Sequence, residues 1–207
     1  MRPRVLLADD HVLMMEGLQS LLAGHVELVG SAVDGRALVD AAMRLKPDIV
    51  ILDISMPVMN GIEAARQLRK DLPNTKLIFL TMYSDALYVH EALRLGISAY
   101  VLKHSASSEL LSALQAVQKG QKYITPRVVQ VEVEPHRLHV ADRRLTKRQR
   151  EVLQLVAEGM TAKEIASTLS LSVKTAQFHK ANVMRTLGLR TTAELVKYAI
   201  RRGMTPF

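Results

Sequence analysis

Three aspartates directly follow short apolar stretches, and their positions suggest one shared chemical site. Asp9 and Asp10 come after Val5-Leu-Leu-Ala8, and Asp53 comes after Ile49-Val-Ile-Leu52. If both stretches are neighbouring parallel strands, their carboxyl ends bring the three carboxylates together. Such a cluster stays ionised only beside a neutralising cation, and carboxylate oxygens suit hard divalent ions such as Mg²⁺. The sequence therefore predicts a magnesium site, in which a metal-held aspartate can also accept a phosphoryl group.

The elements that must position these carboxylates alternate between strands and helices. Apolar runs without polar alternation are typical of parallel strands covered by helices on both faces. The pattern predicts an α/β fold with a doubly wound, five-stranded parallel sheet, in which Thr81 and Lys103 also end strands. The predicted strands are residues 4–8, 27–33, 48–54, 76–82 and 99–103, and the helices are residues 12–23, 36–45, 62–72, 86–95 and 109–119.

The second part of the chain is basic and helical. Residues 1–120 hold 12 Lys and Arg against 13 Asp and Glu, a net charge of −1, whereas residues 121–207 hold 16 against 7, a net charge of +9. A small basic domain favours a polyanionic partner, because neutralised phosphates release condensed counterions; a merely solvated positive surface is the alternative. Helical periodicity with Ser or Thr near each start predicts four helices, at residues 146–158, 161–169, 172–187 and 191–202.

Composition and length narrow the class of protein. The 207 residues, 48% of them apolar, suffice for two cores, and we predict domains at residues 1–122 and 144–207 with a linker at residues 123–143. The absence of cysteine excludes disulfides, thiol nucleophiles and cysteine-bound metals. The amino terminus carries no apolar signal core, and no apolar run reaches the length of a bilayer. A soluble cytoplasmic protein is therefore expected.

The chain resembles the NarL/FixJ subfamily of two-component response regulators. Its first domain is similar to a receiver domain in Asp9-Asp10, Asp53 within Asp-Ile-Ser-Met-Pro-Val-Met-Asn-Gly61, Thr81, Tyr100 and Lys103. Its second domain is similar to a LuxR-type helix-turn-helix in Leu145-Thr-Lys-Arg-Gln-Arg-Glu-Val-Leu153, Lys163-Glu-Ile-Ala166, Ser172-Val-Lys-Thr175, His179 and Leu187. Gln149 and Ala176 depart from the common pattern, which holds an acidic residue and a valine there. We expect the fold to survive these departures.

The resemblance implies a role for each residue of the acidic site. Asp53 would accept a phosphoryl group from a sensor histidine kinase. The Mg²⁺ ion would be held by Asp10, Asp53 and the backbone carbonyl of Ser55, with Asp9 acting mainly through water. Lys103 would neutralise charge on the phosphoryl oxygens.

The resemblance also implies how the signal leaves the site. Thr81 would donate its hydroxyl to the arriving phosphoryl group, and Tyr100 would be the switch aromatic that rotates inward. Tyr83, two residues beyond Thr81, is expected to flank the phosphoryl group. The pairs Met56-Pro57 and Asn60-Gly61 supply turn chemistry for the loop after Asp53.

The predicted helix at residues 172–187 separates a packing side from a reading side. Ala176, Val183 and Leu187 share one side. On the other side, Gln177 can bond to adenine and Phe178 can contact thymine methyl groups. His179 borders the apolar stripe, so packing or a phosphate contact suits it better than base reading. The predicted DNA-binding residues are Lys174, Thr175, Gln177, Phe178, His179, Lys180, Ala181, Asn182 and Arg185.

Each of these interpretations has a plainer alternative. Any one aspartate alone would more often be a turn or cap residue, and His11 beside the acidic pair would more often be solvated than a metal ligand. A metal-dependent phosphatase would need a second acid or base, and a flavodoxin-like cofactor binder would need a glycine-rich phosphate loop. The sequence marks neither of them. We therefore expect a regulator rather than an enzyme, with double-stranded DNA and a sensor kinase as partners and a homodimer formed on phosphorylation or on DNA.

Overall fold

The chain contains two compact units, Met1–Val133 and Glu134–Phe207. The computed structural model describes residues 2–84, 86–129, 145–201 and 204. Within those residues, no helix combines the length and apolar character that crossing a membrane requires.

The first unit is an α/β fold with a parallel sheet in the strand order β2-β1-β3-β4-β5-β6, which confirms the doubly wound fold. Its strands are β1 Arg4–Ala8, β2 Glu27–Ala32, β3 Ile49–Leu52, β4 Lys76–Thr81, β5 Ala99–Leu102 and β6 Tyr123–Ile124. Its helices are α1 Val12–Leu22, α2 Gly35–Leu45, α3 Gly61–Asp71, α4 Ala86–Arg94, α5 Ala106–Gln118 and the short α6 Pro126–Val129.

The predicted count of five strands is wrong for the part of the chain that the structure describes, because β6 adds a sixth. β6 is only two residues long and pairs in parallel with β5, with Tyr123 opposite Ala99 and Ile124 opposite Tyr100. So short a strand has no periodicity of its own, and Pro126 ends it. The predicted linker at residues 123–143 thus begins with a strand and a helical turn. Residues 130–143 of that prediction lie outside the described residues.

The sheet carries a helical layer on each face because alternate strand residues point to opposite sides. Leu6, Val50 and Phe79 belong to the apolar cluster that includes residues of α2, α3 and α4. Their neighbours Leu7 and Ile51 belong to the cluster that includes residues of α1 and α5. Each fully buried leucine stabilises the fold by roughly 1.5–3 kcal/mol. The two layers therefore hold the strand ends in fixed positions.

Local hydrogen bonds explain where two of the helices begin. Asp34 accepts the N–H of Ala37 at 2.8 Å and caps α2, and Asn60 accepts the N–H of Glu63 at 2.9 Å and caps α3. Such caps stabilise a helix by about 1 kcal/mol. Helix α5 begins at Ala106 rather than at residue 109, because a 3₁₀ turn at Lys103–Ser105 leads directly into it.

The described residues of the second unit form only α-helices and the turns between them, as predicted: α7 Lys147–Ala157, α8 Ala162–Thr168, α9 Val173–Leu187 and α10 Thr192–Arg201. Residue 202, the last of the fourth predicted helix, lies outside the described residues. Thr146 and Thr161 each form a reciprocal capping box, with Gln149 and Glu164 respectively. Gln149, the departure from the family pattern, completes its box because an amide oxygen accepts the Thr146 N–H at 2.8 Å.

Candidate functional site

The strand order places Asp9 beside Asp53. β1 and β3 are neighbours, and their register pairs Ala8 with Leu52, so the residues that follow lie side by side. The backbone continues this pairing, since the Asp53 N–H donates to the Ala8 carbonyl at 2.9 Å. From β1 the chain passes to β2 on one side, and from β3 it passes to β4 on the other side. Doubly wound folds form their binding crevice at such a point, beyond the carboxyl ends of the two strands.

Lys103 joins the two buried carboxylates. Its Nζ lies 2.7 Å from Oδ2 of Asp9 and 2.7 Å from Oδ2 of Asp53. All three side chains are buried, whereas Asp10 is exposed at the rim. The other Asp53 oxygen, Oδ1, accepts the N–H of Ile54 at 2.6 Å. Lys103 follows β5, so three strand ends together position an ammonium between two carboxylates.

The electrostatics of the pocket leave excess negative charge. Burial raises the pKa of Asp53, and this effect together with the Asp9 charge outweighs the attraction of Lys103. Burial alone would lower the pKa of Lys103, but the charges and hydrogen bonds of Asp53 and Asp9 raise it. The lysine is therefore held charged, while three carboxylates face a single ammonium. A further cation would be favoured here.

The donor atoms of this pocket fit a hard divalent cation. Asp9, Asp10, His11 and Asp53 each offer one ligand atom, and these atoms lie within 4.8 Å of one another. The three carboxylate oxygens among these atoms suit Mg²⁺. Ser55 is half-buried and its backbone N–H bonds the Asp53 carboxylate, while the role of its carbonyl as a ligand stays a prediction.

His11 takes a position that the sequence reasoning did not foresee. Its side chain is 65% exposed, yet its Nδ1 lies 3.0 Å from an oxygen of Asp9 and 3.0 Å from one of Asp10. The His11 backbone N–H also donates to Asp9 Oδ1 at 2.9 Å. Adjacency to the acidic pair was the available signal, because a residue at a helix start can fold back onto the preceding side chain.

Two glycines permit the close backbone contacts around Asp53. A Cβ on Gly61 would lie 1.9 Å from the Asp53 carbonyl oxygen, and a Cβ on Gly35 would lie 2.2 Å from the Met59 carbonyl oxygen. Hydrogen bonds hold these contacts, with Gly61 N–H donating to Ile54 at 2.8 Å and Gly35 N–H to Met59 at 3.0 Å. Gly61 was predicted to supply turn chemistry; it is instead the first residue of α3.

The two predicted switch residues are Thr81, the last residue of β4, and Tyr100, within β5. Thr81 is fully buried, and its hydroxyl accepts the N–H of Tyr83 at 3.4 Å. Tyr100 is also buried, and its hydroxyl donates to the Tyr83 carbonyl at 2.8 Å. The Tyr83 ring stacks on Tyr88 with centroids 4.3 Å apart. Tyr100 is thus linked to the loop that leads into α4.

In the second unit, α8 and α9 are joined by a tight turn. Ser170 has a left-handed φ of 53°, and Leu171 N–H donates to Ala166 at 2.8 Å. Arg148 on α7 donates to the Leu169 carbonyl at 2.8 Å and to Glu151 at 2.9 Å. These bonds hold the turn against α7. Arg148 belongs to the motif at residues 145–153, but no separate role was predicted for it.

Helix α9 presents the predicted reading residues on its accessible sides. Ala176 and Val183 are buried and Leu187 is half-buried, so this stripe faces the helical core. Phe178 is 62% exposed, which is unusual for a large apolar side chain. The other exposed residues of the predicted set are Lys174, Gln177, Ala181 and Arg185, and the half-buried ones are Thr175, His179, Lys180 and Asn182.

Comparisons with known protein families match both units. Residues 5–115 match the family described as "Response regulator receiver domain". Residues 143–199 match the family described as "Bacterial regulatory proteins, luxR family". Between them the two matches cover most of the chain, and the first alone covers more than half of it.

Relatives and solved structures span the same two parts. The oxygen regulatory protein NreC of Staphylococcus carnosus is 34% identical, and that of Staphylococcus aureus is 35% identical, each over 99% of this chain and 100% of its own. A solved structure of two RcsB dimers bound to two parallel DNAs is also similar. The alignment has a TM-score of 0.61 and 32% sequence identity, and it covers 96% of this chain and 98% of the RcsB chain.

A second RcsB structure, from Salmonella enterica serovar Typhimurium, is bound to promoter rprA in the presence of phosphomimetic BeF₃⁻. It has TM-score 0.59 and 32% identity, over 95% of this chain and 97% of its own. Family matches, full-length relatives and structural neighbours thus agree. The chain belongs to the response regulators of the NarL/FixJ type, transcription regulators in which a receiver domain precedes a LuxR-type DNA-binding domain.

Proposed function

We propose that this protein regulates transcription through phosphorylation of Asp53 by a sensor histidine kinase, in the presence of Mg²⁺. Phosphorylation shifts the receiver, promotes a homodimer and thereby favours sequence-specific binding to double-stranded DNA. The observation that carries this proposal is the ammonium of Lys103, 2.7 Å from the buried carboxylates of Asp9 and Asp53. That arrangement supplies a nucleophile and a fixed positive charge at the same sheet edge.

The residues of the pocket divide the phosphoryl transfer between them. An oxygen of Asp53 attacks phosphorus, the bond to the kinase histidine breaks, and the departing imidazole keeps the electron pair. Asp10, Asp53 and the backbone carbonyl of Ser55 would hold Mg²⁺, with Asp9 acting mainly through water, and the ion would neutralise charge on the phosphoryl oxygens. Lys103 keeps its proton and stabilises negative charge on the transferred group. Thr81 then donates its hydroxyl to a phosphoryl oxygen.

The signal leaves the pocket through Thr81 and Tyr100. Both residues contact Tyr83, one through its N–H and the other through its carbonyl. A movement of Thr81 toward the phosphoryl group therefore changes the hydrogen bonding of the loop before α4. Phosphorylation shifts the receiver only by the difference in such contacts between two states.

DNA recognition is assigned to α9. Its exposed residues include two cations, Lys174 and Arg185, with Gln177 between them. Gln177 and the apolar Phe178 and Ala181 suit base edges, while the cations suit phosphates, as do Thr175, His179, Lys180 and Asn182 at the sides. The RcsB complexes with DNA support this assignment by their similarity over both units.

We expect beryllofluoride with Mg²⁺ to convert the protein from monomer to dimer and to tighten its binding to DNA. The DNA used in the assay is a duplex that the beryllofluoride-treated protein selects from a pool of random sequences. Sedimentation velocity measures the mass, and anisotropy measures the dissociation constant. An effect of roughly 5–150-fold on affinity is the usual range for coupled sites. Unchanged mass and unchanged affinity would reject the proposal.

Two substitutions on α9 separate base reading from phosphate contact. Gln177→Ala should lose roughly 1–3 kcal/mol of discrimination at one base pair, because a bidentate contact to a base is removed. Lys174→Ala should weaken binding to every sequence and reduce the salt slope by about 1. Titrations against all single base-pair variants of the selected duplex at several salt concentrations measure both effects. Equal, sequence-independent losses in the two variants would contradict the assignment.

A further inference from the structure

We infer that residues 123–129, which form β6 and α6 and are here called the β6 segment, position the carboxyl end of β5 and carry changes at the phosphoacceptor site toward the second unit. Thr125 and Glu109 act as the positioning residues. The inference rests on the proposed function, since it concerns regulation of that same site.

The β6 segment extends the sheet as far as the residue before Lys103. Tyr123 N–H donates to Ser98 at 3.1 Å, and Thr125 N–H donates to the Tyr100 carbonyl at 2.9 Å. Beyond the end of β6, the Thr125 hydroxyl takes the place of a strand carbonyl and accepts the N–H of Leu102 at 3.3 Å. Thr125 therefore bonds the backbone of β5 at Tyr100 and at the last residue of the strand, Leu102.

Glu109 fixes the direction of that hydroxyl. Its Oε2 accepts the Thr125 hydroxyl at 2.7 Å and the Tyr123 hydroxyl at 3.0 Å. Thr125 is only 1% exposed, so water cannot readily replace either bond. Because the Thr125 proton is donated to a carboxylate, the hydroxyl lone pairs remain for Leu102. Helix α5, β5 and β6 are thus joined through one side chain.

Apolar packing connects the same segment to the switch residue. Val128 is buried in the cluster that contains Tyr100 and Val89 of α4, and Ile124 packs against that cluster. A change in the position of Tyr100 therefore alters the packing of α6. The chain then continues through residues 130–144, outside the described residues, to α7. The β6 segment is consequently the last described part of the first unit before the helices of the second unit.

The test compares Thr125→Val, which removes the hydroxyl at constant shape, with Thr125→Ser, which keeps it. For each protein the measured quantity is the ratio of DNA dissociation constants without and with beryllofluoride and Mg²⁺, and ¹⁹F NMR reports loading of the site. We expect Thr125→Val to load but to lower the ratio about fivefold, with Thr125→Ser within about twofold of the wild-type ratio. Loss of stability alone would not change this ratio selectively.

Four results would overturn the inference. If Thr125→Val keeps the wild-type ratio, the hydroxyl is not needed. If Thr125→Ser lowers the ratio as much as Thr125→Val does, the effect comes from the loss of the methyl group or from the substitution itself rather than from the hydroxyl. If Thr125→Val fails to fold, Glu109→Met removes the acceptor instead, and an unchanged ratio in that variant is equally negative. If the wild-type protein itself gives no response to beryllofluoride, the proposed function fails and this inference fails with it.

Discussion

Replacing Asp53 by asparagine should abolish labelling of the protein by small phosphodonors in the presence of Mg²⁺. The amide keeps the shape of the side chain but lacks the anionic oxygen that attacks phosphorus. Lys103 would still pair with Asp9, 2.7 Å away, so the pocket should remain assembled. Incorporation of label from radioactive acetyl phosphate, measured over time, checks the prediction.

The matched control is Asp40→Asn, an exposed aspartate on α2. This variant should label at the wild-type rate, because the substitution removes the same charge from the chain without touching the pocket. Chelation of divalent ions should stop labelling of both the wild-type protein and the control. Undiminished labelling of Asp53→Asn would place the acceptor on another residue.

Gly61→Ala should destabilise the protein by about 3 kcal/mol, because the added Cβ would overlap backbone rather than a flexible side chain. That Cβ would lie 1.9 Å from the Asp53 carbonyl oxygen and 3.0 Å from the Cα of Ile54. Helix α3 can accommodate it only by moving away from Asp53. Urea unfolding followed by circular dichroism measures the loss of stability, and labelling of the folded fraction should also fall.

Gly17→Ala, in the same unit, should increase the stability of the protein rather than lower it. Gly17 lies within α1, and nothing stands within 4 Å of a Cβ at that position. Alanine should therefore stabilise the helix by roughly 0.5–1 kcal/mol. If Gly61→Ala were as stable as wild-type protein, the close approach of α3 to the Asp53 backbone would not be a requirement of the fold.

The acidic site was predictable because its signals are local. Asp9, Asp53 and Lys103 each follow an apolar strand, and parallel strands bring their carboxyl ends to one edge. The helices of the second unit were equally predictable, since Thr146, Thr161 and Ser172 occupy cap positions before amphipathic helices. The strands and helices were predictable because each shows its own apolar pattern within a short stretch of sequence.

The remaining features depend on contacts between residues far apart in the chain. β6 is two residues long and is defined by pairing with β5, so no periodicity could reveal it. The contact of Gly35 with Met59 requires the relative placement of α2 and the loop after Asp53. The bonds from Thr125 to Leu102 and Glu109 likewise join three separate elements.

One measurement tests the central claim most directly: the mass of the intact protein after reaction with phosphoramidate and Mg²⁺, followed by mapping of the modified residue after borohydride reduction. We predict the addition of one phosphoryl group, located on Asp53 and absent when divalent ions are chelated. Modification of a different residue, or no modification under conditions in which the protein is folded and binds Mg²⁺, would contradict the account.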